Sequence, residues 1–126
     1  MKKILILEKG NHVSKMIAKK LLNEEYELIS TSSRLGLNRT IPTLIPDLVI
    51  ADLTTIKNDN VELLVQLKNN PVISLFPFLL ITSQNKISRE DLSSGLNFYI
   101  RKPYTEEEFL QLLKRILQES KRLSPW

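Results

Sequence analysis

Pro46-Asp47-Leu48-Val49-Ile50-Ala51-Asp52-Leu53 is the stretch that decides the fold. Four apolar residues stand in unbroken succession between two aspartates. A half-exposed strand alternates polar with apolar side chains, so this strand-length run without alternation reads as buried on both faces. Pro46-Asp47 turns the chain into it. The run ends on the carboxylate of Asp52. A strand covered on both faces needs a layer on each side, so the neighbouring segments are expected to be helical.

The rest of the chain bears this out as a pattern. Ile4-Leu5-Ile6-Leu7 is a second such run, ending at Glu8-Lys9. Phe78 to Ile81 is another, ending at Thr82-Ser83. Tyr26 to Ser30 and Phe98-Tyr99-Ile100 are further short strands, the last ending at Arg101-Lys102-Pro103. Between the strands the spacing becomes helical. A first helix is expected from His12 to Asn23, with Val13, Met16, Ile17 and Leu21 on one face. Arg34 to Leu44 reads as a weaker helix, since Gly36 and an interior Pro42 both cost helix stability. Val61 to Lys68 has helical spacing and stops at Asn69-Asn70-Pro71. Ser88 to Ser94 reads as a short helix closed by Gly95. The last helix has the clearest signals. Thr105 and Glu108 form a capping box, Glu106 and Glu107 suit the positive end of the dipole, and Phe109, Leu110, Leu113, Ile116 and Leu117 form an apolar stripe.

Strand and helix alternate strictly, and no hairpin dipeptide appears. The expected architecture is an α/β, doubly wound, flavodoxin-like fold. It has a five-stranded parallel sheet of order 2-1-3-4-5 with helices on both faces. Residues 1–120 are expected to form the domain, and 121–126 a tail or linker.

Composition narrows the function classes. With 126 residues and 42% hydrophobic side chains the chain can fill one core. It has no cysteine, which excludes disulfides, thiolate metal sites and a cysteine nucleophile. No apolar run reaches the ~18 residues of a membrane span. Met1-Lys2-Lys3 before Ile4–Leu7 has the beginning of a signal peptide, but Glu8 and Lys9 end the run too early. The expectation is a soluble, cytoplasmic protein with no membrane partner. The net charge of +4 is spread along the chain and never concentrates into a nucleic-acid-binding arm, so no direct nucleic-acid binding is expected.

In an open parallel sheet, chemistry sits at the carboxyl ends of the strands, near the point where strand order reverses. Glu8, Asp52, Thr82 and Lys102 all end strands there. A carboxylate nucleophile, a hydroxyl and an ammonium suit phosphoryl transfer, in which positioning and charge compensation supply most of the catalysis.

With these residues in place the chain resembles a response-regulator receiver domain over residues 2 to 120. The resemblance is carried by Ile4-Leu5-Ile6-Leu7-Glu8, the Pro46–Leu53 stretch, Phe78-Leu79-Leu80-Ile81-Thr82-Ser83, and Gly95-Leu96-Asn97-Phe98-Tyr99-Ile100-Arg101-Lys102-Pro103-Tyr104. It implies a two-component or phosphorelay signalling domain rather than an enzyme. Asp52 is the implied phosphoacceptor, taking its phosphoryl group from a histidine kinase or a phosphotransfer protein. Thr82 and Lys102 are implied to contact the phosphoryl group, and Tyr99 to switch position together with Thr82. Mg²⁺ is implied at Glu8, Asp52 and the backbone carbonyl of Thr54. The Lys102-Pro103 bond is implied to be cis. The output is a downstream effector protein or a fused output domain, and a homodimer through the last helix and its neighbours is a further family analogy.

Two departures stand out. The family's second acid after the first strand is replaced by Lys9, a cation where a ligand for a divalent cation belongs. The loop after Asp52 reads Leu53-Thr54-Thr55-Ile56-Lys57-Asn58-Asp59-Asn60 and lacks the family's proline and glycines, keeping only Asp59. Lys9 leaves two readings open. Its ammonium pairs with Asp52 and Glu8 and replaces the metal, giving a phosphorylation-independent interaction module. Alternatively it points away, and a weakened Mg²⁺ site still supports phosphorylation. Singly, each residue has an ordinary explanation: Asp52 as a surface acid, Thr82 as a cap, Lys102 as a solvated charge, Tyr99 as core. His12 is read as surface polar, without metal-ligand company. A flavin-binding flavodoxin is disfavoured, because Glu8-Lys9-Gly10-Asn11 is not a phosphate-cradling loop.

Overall fold

A computed structural model describes residues 2–20, 26–55, 69, 71, 75–83 and 98–123. The helices expected over 61–68 and 88–94, the end of the first helix at Asn23, and Asp59 lie outside the described residues. The described elements are β1 (Lys2–Leu7), α1 (His12–Lys20), β2 (Tyr26–Thr31), α2 (Arg34–Leu44), β3 (Leu48–Asp52), β4 (Phe78–Thr82), β5 (Phe98–Arg101) and α3 (Glu106–Leu123). The five strands form one sheet in the order β2-β1-β3-β4-β5, and every pairing is parallel. This is the doubly wound order expected from the alternation of runs.

The unalternating runs are buried on both faces, and their period of two sorts them into two cores. Ile4, Ile6, Leu48, Ile50, Leu79 and Ile81 pack with Val13, Met16 and Ile17 of α1 and with Phe109, Leu113, Ile116 and Leu117 of α3. Leu5, Leu7, Val49, Ala51, Phe78 and Leu80 face the other way, toward Ile41 of α2. Each fully buried large side chain contributes about 1.5–3 kcal/mol. Thus β3, buried at all five positions, is held from both sides.

β1 begins at Lys2, two residues earlier than its apolar run. Asp47 explains the extension. Its carboxylate accepts from the Lys3 N–H at 2.7 Å, and its own N–H donates to the Lys3 carbonyl at 2.8 Å. α2 forms despite Gly36 and Pro42. Ser33 caps it, its hydroxyl accepting from Gly36 N–H at 3.0 Å. Gly36 is required rather than tolerated, since a β-carbon there would collide with the Thr31 hydroxyl. Pro42 falls in the last turn. The helix ends on Ile45, which takes a left-handed conformation (φ 52°) that a β-branched residue rarely adopts.

α3 starts as expected, with Glu108 N–H donating to Thr105 Oγ1 at 3.1 Å. The reciprocal contact differs from a standard capping box. The Glu108 carboxylate accepts from the Thr105 hydroxyl instead of from its backbone. α3 runs on to Leu123, past residue 120. Among the described residues, no helix is long and apolar enough to cross a membrane.

Candidate functional site

The sheet brings four of the expected residues to its carboxyl edge. Asp52 ends β3 and is fully buried. Glu8, one residue past β1, and Thr82, at the end of β4, are also buried. Lys102 follows β5 and continues its ladder, its N–H donating to the Thr82 carbonyl at 2.8 Å.

Asp52 is closed into a small network. Lys102 Nζ lies 3.3 Å from Asp52 Oδ2 and donates to Thr54 Oγ1 at 2.5 Å. Thr54 donates twice to Asp52 Oδ1, through its N–H at 3.1 Å and its hydroxyl at 2.6 Å. A buried carboxylate needs such partners, because burial of an unpaired charge is costly. The chain after β3 therefore turns through an aspartate-anchored bend. The Thr55 hydroxyl ties it down by donating to the Asp52 carbonyl at 2.9 Å. Two threonine hydroxyls thus order the first part of a loop that lacks proline and glycine.

Glu8 has a role the sequence did not suggest. Its carboxylate caps α1, with Oε1 accepting from Val13 N–H at 2.9 Å and Oε2 from Ser14 N–H at 3.0 Å. These are donors a helix start leaves unsatisfied, and the charge suits the positive end of the dipole. Gly10, at φ 93°, makes the turn that brings α1 back over Glu8. Replacing Glu8 with alanine is expected to cost about 1–2 kcal/mol, the range of a lost helix cap. Urea unfolding of the Glu8→Ala variant checks this, and an unchanged midpoint would contradict the capping role.

Lys9 is exposed, and its N–H donates to Thr55 Oγ1 at 2.8 Å. Among the described residues its ammonium makes no ion pair, and the cation beside Asp52 is Lys102. The first of the two readings of Lys9, an ammonium paired with Asp52 and Glu8, is corrected here. The side chain leaves the buried edge because an ammonium is better hydrated in water.

Tyr99 sits opposite Leu80 in the β4–β5 register and is 46% exposed. By strand alternation it shares a face with Thr82. The Lys102-Pro103 bond is cis. Tyr104 was not singled out from the sequence. Its ring stacks on Phe109 with centroids 5.5 Å apart, and its hydroxyl is buried. Burial, then the charge of Asp52, then that of Glu8 push its ionisation up to about 12. The unfolded chain would release this proton near pH 10, so the stability is present below pH 10 and lost as pH climbs toward 12. An ultraviolet titration of the three tyrosines should show one late step, absent in Tyr104→Phe.

As a metal site the set is thin. Mg²⁺ takes one or two carboxylates plus phosphate and water. Glu8 and Asp52 are the carboxylates that could hold it, and each of their oxygens already accepts a hydrogen bond or an ion pair. Among the described residues no group of three or more acidic, histidine or cysteine side chains is placed to hold a metal. The residues fit a weakly held, largely hydrated cation.

No model of a known protein family matches the chain. It is similar to a histidine kinase of Formosa agariphila, at 29% identity over 95% of this chain and 9% of that protein. It is also similar to the alkaline phosphatase synthesis transcriptional regulatory protein PhoP of Bacillus subtilis, at 26% identity over 98% of this chain and 52% of that protein. The chain therefore spans about half the length, or less, of these curated relatives. Among solved structures, a response regulator receiver modulated diguanylate cyclase from Pelobacter carbinolicus matches with a TM-score of 0.73, at 27% identity, covering 100% of both chains.

Proposed function

We propose that this chain, a two-component receiver domain by fold and by its relatives, accepts a phosphoryl group on Asp52. The observation that carries the reading is the pairing of buried Asp52 with Lys102 at the switch-point edge of the sheet. An ionised carboxylate attacks phosphorus only where the incoming negative charge is neutralised. Lys102 Nζ lies beside Oδ2, the oxygen that does not carry the two Thr54 bonds, so Oδ2 is the attacking atom. In the transfer an Asp52 oxygen–phosphorus bond forms and the donor's phosphorus–nitrogen bond breaks. The donor imidazole, from a histidine kinase or phosphotransfer protein, leaves with its electron pair and a proton. Lys102 and the Thr82 hydroxyl then hold the phosphoryl oxygens. Mg²⁺, held weakly by Asp52, the Thr54 carbonyl and Glu8, supplies further charge compensation when bound.

The domain relays modification as a population shift rather than by turnover. Phosphorylation adds about −1.5 to −2 charge at Asp52. Thr82 turns toward it and exposed Tyr99 follows inward, changing the surface offered to an effector protein or a fused output domain, or to a second copy of the chain. The reading places the domain in the cytoplasm, without a membrane or nucleic-acid contact of its own.

One observation favours a second reading. Asp52 is fully enclosed with both oxygens occupied, which also suits an interaction module fixed in one state. Intact-mass measurement after incubation with a small-molecule phosphoryl donor such as acetyl phosphate separates the two. Gain of one phosphoryl group, absent in Asp52→Asn, supports acceptance. No gain at millimolar Mg²⁺ leaves the interaction module.

A further inference from the structure

We infer that the hydroxyl of Tyr104 is an additional hydrogen-bond donor to the anionic group carried on Asp52, making Tyr104 a positioning residue of the site. The inference rests on the reading of Asp52 as phosphoacceptor. Packing places Tyr104 on the same side of the sheet as Asp52. Phe98 and Ile100 of β5 pack into the α1–α3 core, and Tyr104 packs against that core as well. Leu48 and Ile50 lead to Asp52 on this face of β3.

The Tyr104 ring is fixed by its stack on Phe109, yet its buried hydroxyl has no hydrogen-bond partner among the described residues. A buried hydroxyl without a partner is destabilising, and phenylalanine would fill the same space without one. The outer edge of the ring lines a shallow cleft with His12, Lys15, Met16, Lys19 and Glu106. None of these takes the hydroxyl. Both carboxylates whose charge reaches it are already served. Glu8 is capped onto Val13 and Ser14, and Asp52 is held by Thr54 and Lys102. The phenol stays protonated well above neutral pH, so it remains a donor. A phosphoryl group on Asp52, whose charge already reaches this hydroxyl, would bring three new acceptor oxygens to this edge of the sheet. These are acceptors that the hydroxyl lacks before modification. The hydroxyl also offsets part of the phosphoryl charge that a more firmly held cation would have balanced.

The test is titration of wild type and Tyr104→Phe with beryllofluoride, a phosphoryl mimic, at fixed Mg²⁺, with thermal melting of both proteins in the absence of the mimic. Loss of a hydrogen bond to a charged group predicts about tenfold weaker beryllofluoride binding by Tyr104→Phe. Its unliganded melting temperature should be equal or higher, because an orphaned hydroxyl has been removed. A purely structural role lowers the melting temperature and leaves the affinity unchanged, which would overturn the inference. Weakened Mg²⁺ binding without the mimic, together with unchanged beryllofluoride affinity, would also overturn it by assigning the hydroxyl to a metal-bound water. If wild type binds no beryllofluoride, the reading of Asp52 falls and takes this inference with it. If wild type binds and the variant binds equally, only the inference falls.

Discussion

Replacing Lys102 with methionine is expected to weaken beryllofluoride binding at Asp52 by about one to two orders of magnitude. Methionine keeps much of the aliphatic stem and removes the ammonium. That ammonium makes the ion pair to Asp52 at 3.3 Å and donates to Thr54 at 2.5 Å. A hydrogen bond to a charged group contributes about 1.5–3 kcal/mol, and 1.4 kcal/mol is tenfold in affinity. The unmodified protein should lose stability as well, because Asp52 is fully buried and would keep only its Thr54 bonds. The loss should be modest, about 1–2 kcal/mol, since the Lys102 side chain is 32% exposed and its charge is partly screened. Isothermal titration and urea unfolding of Lys102→Met read the two effects separately. Wild-type affinity in the variant would remove Lys102 from the phosphoryl contacts.

Restoring the second acid should act in the opposite direction. Lys9→Asp is expected to raise Mg²⁺ affinity by on the order of ten- to a hundredfold. The argument is Coulombic. At roughly 5 Å in a dielectric near 80, one unit charge acting on a doubly charged ion is worth about 1.7 kcal/mol. The substitution changes the charge by two units. Lys9 is exposed, which is why the water dielectric applies and why salt trims the effect toward the lower bound. The gain should come without a large loss of fold stability. The Lys9 side chain makes no ion pair among the described residues, and its backbone bond to Thr55 does not depend on the side chain. Amide titration with Mg²⁺ measures the change. An affinity unmoved by the substitution would mean that the position no longer faces the cation site.

The sheet was legible because β1, β3 and β4 are buried on both faces over their apolar runs, so each appears in the sequence as an apolar run too short for a helix, whereas the edge strands β2 and β5 are only partly buried. Strict alternation with helical spacing then left few strand orders. Boundaries were less legible where the cause lies elsewhere in the chain. β1 starts at Lys2 because Lys2 and Lys3 pair with Tyr26 and Glu27 of β2 and Asp47 binds them from the start of neighbouring β3. Gly36 read as a helix breaker, whereas the structure needs it for a close approach to Thr31. Ile45 ends α2 in a left-handed conformation that a glycine or asparagine would have announced.

At the site, Asp52, Thr82 and Lys102 could be named because a strand end fixes a residue's place without knowledge of any loop. Glu8 as a helix cap could not be read that way. Its bonds to Val13 and Ser14 depend on the path of the turn at Gly10. The Thr54 hydroxyl was reachable in principle, since an aspartate followed two residues later by threonine is a side-chain-capped turn signal. Tyr104 was marked only as the aromatic after Lys102-Pro103, with no role of its own. An aromatic after Lys102-Pro103 reads as core until the burial of its hydroxyl is known.

The most direct measurement is an amide NMR titration with Mg²⁺ followed by beryllofluoride, with Asp52→Asn as control. A receiver that accepts phosphate shows saturable shifts at Asp52, Thr82, Tyr99 and Lys102 in wild type and none in the variant. A spectrum that stays unchanged at millimolar Mg²⁺ and saturating beryllofluoride would contradict phosphoryl acceptance at Asp52 and leave a domain that works by binding alone.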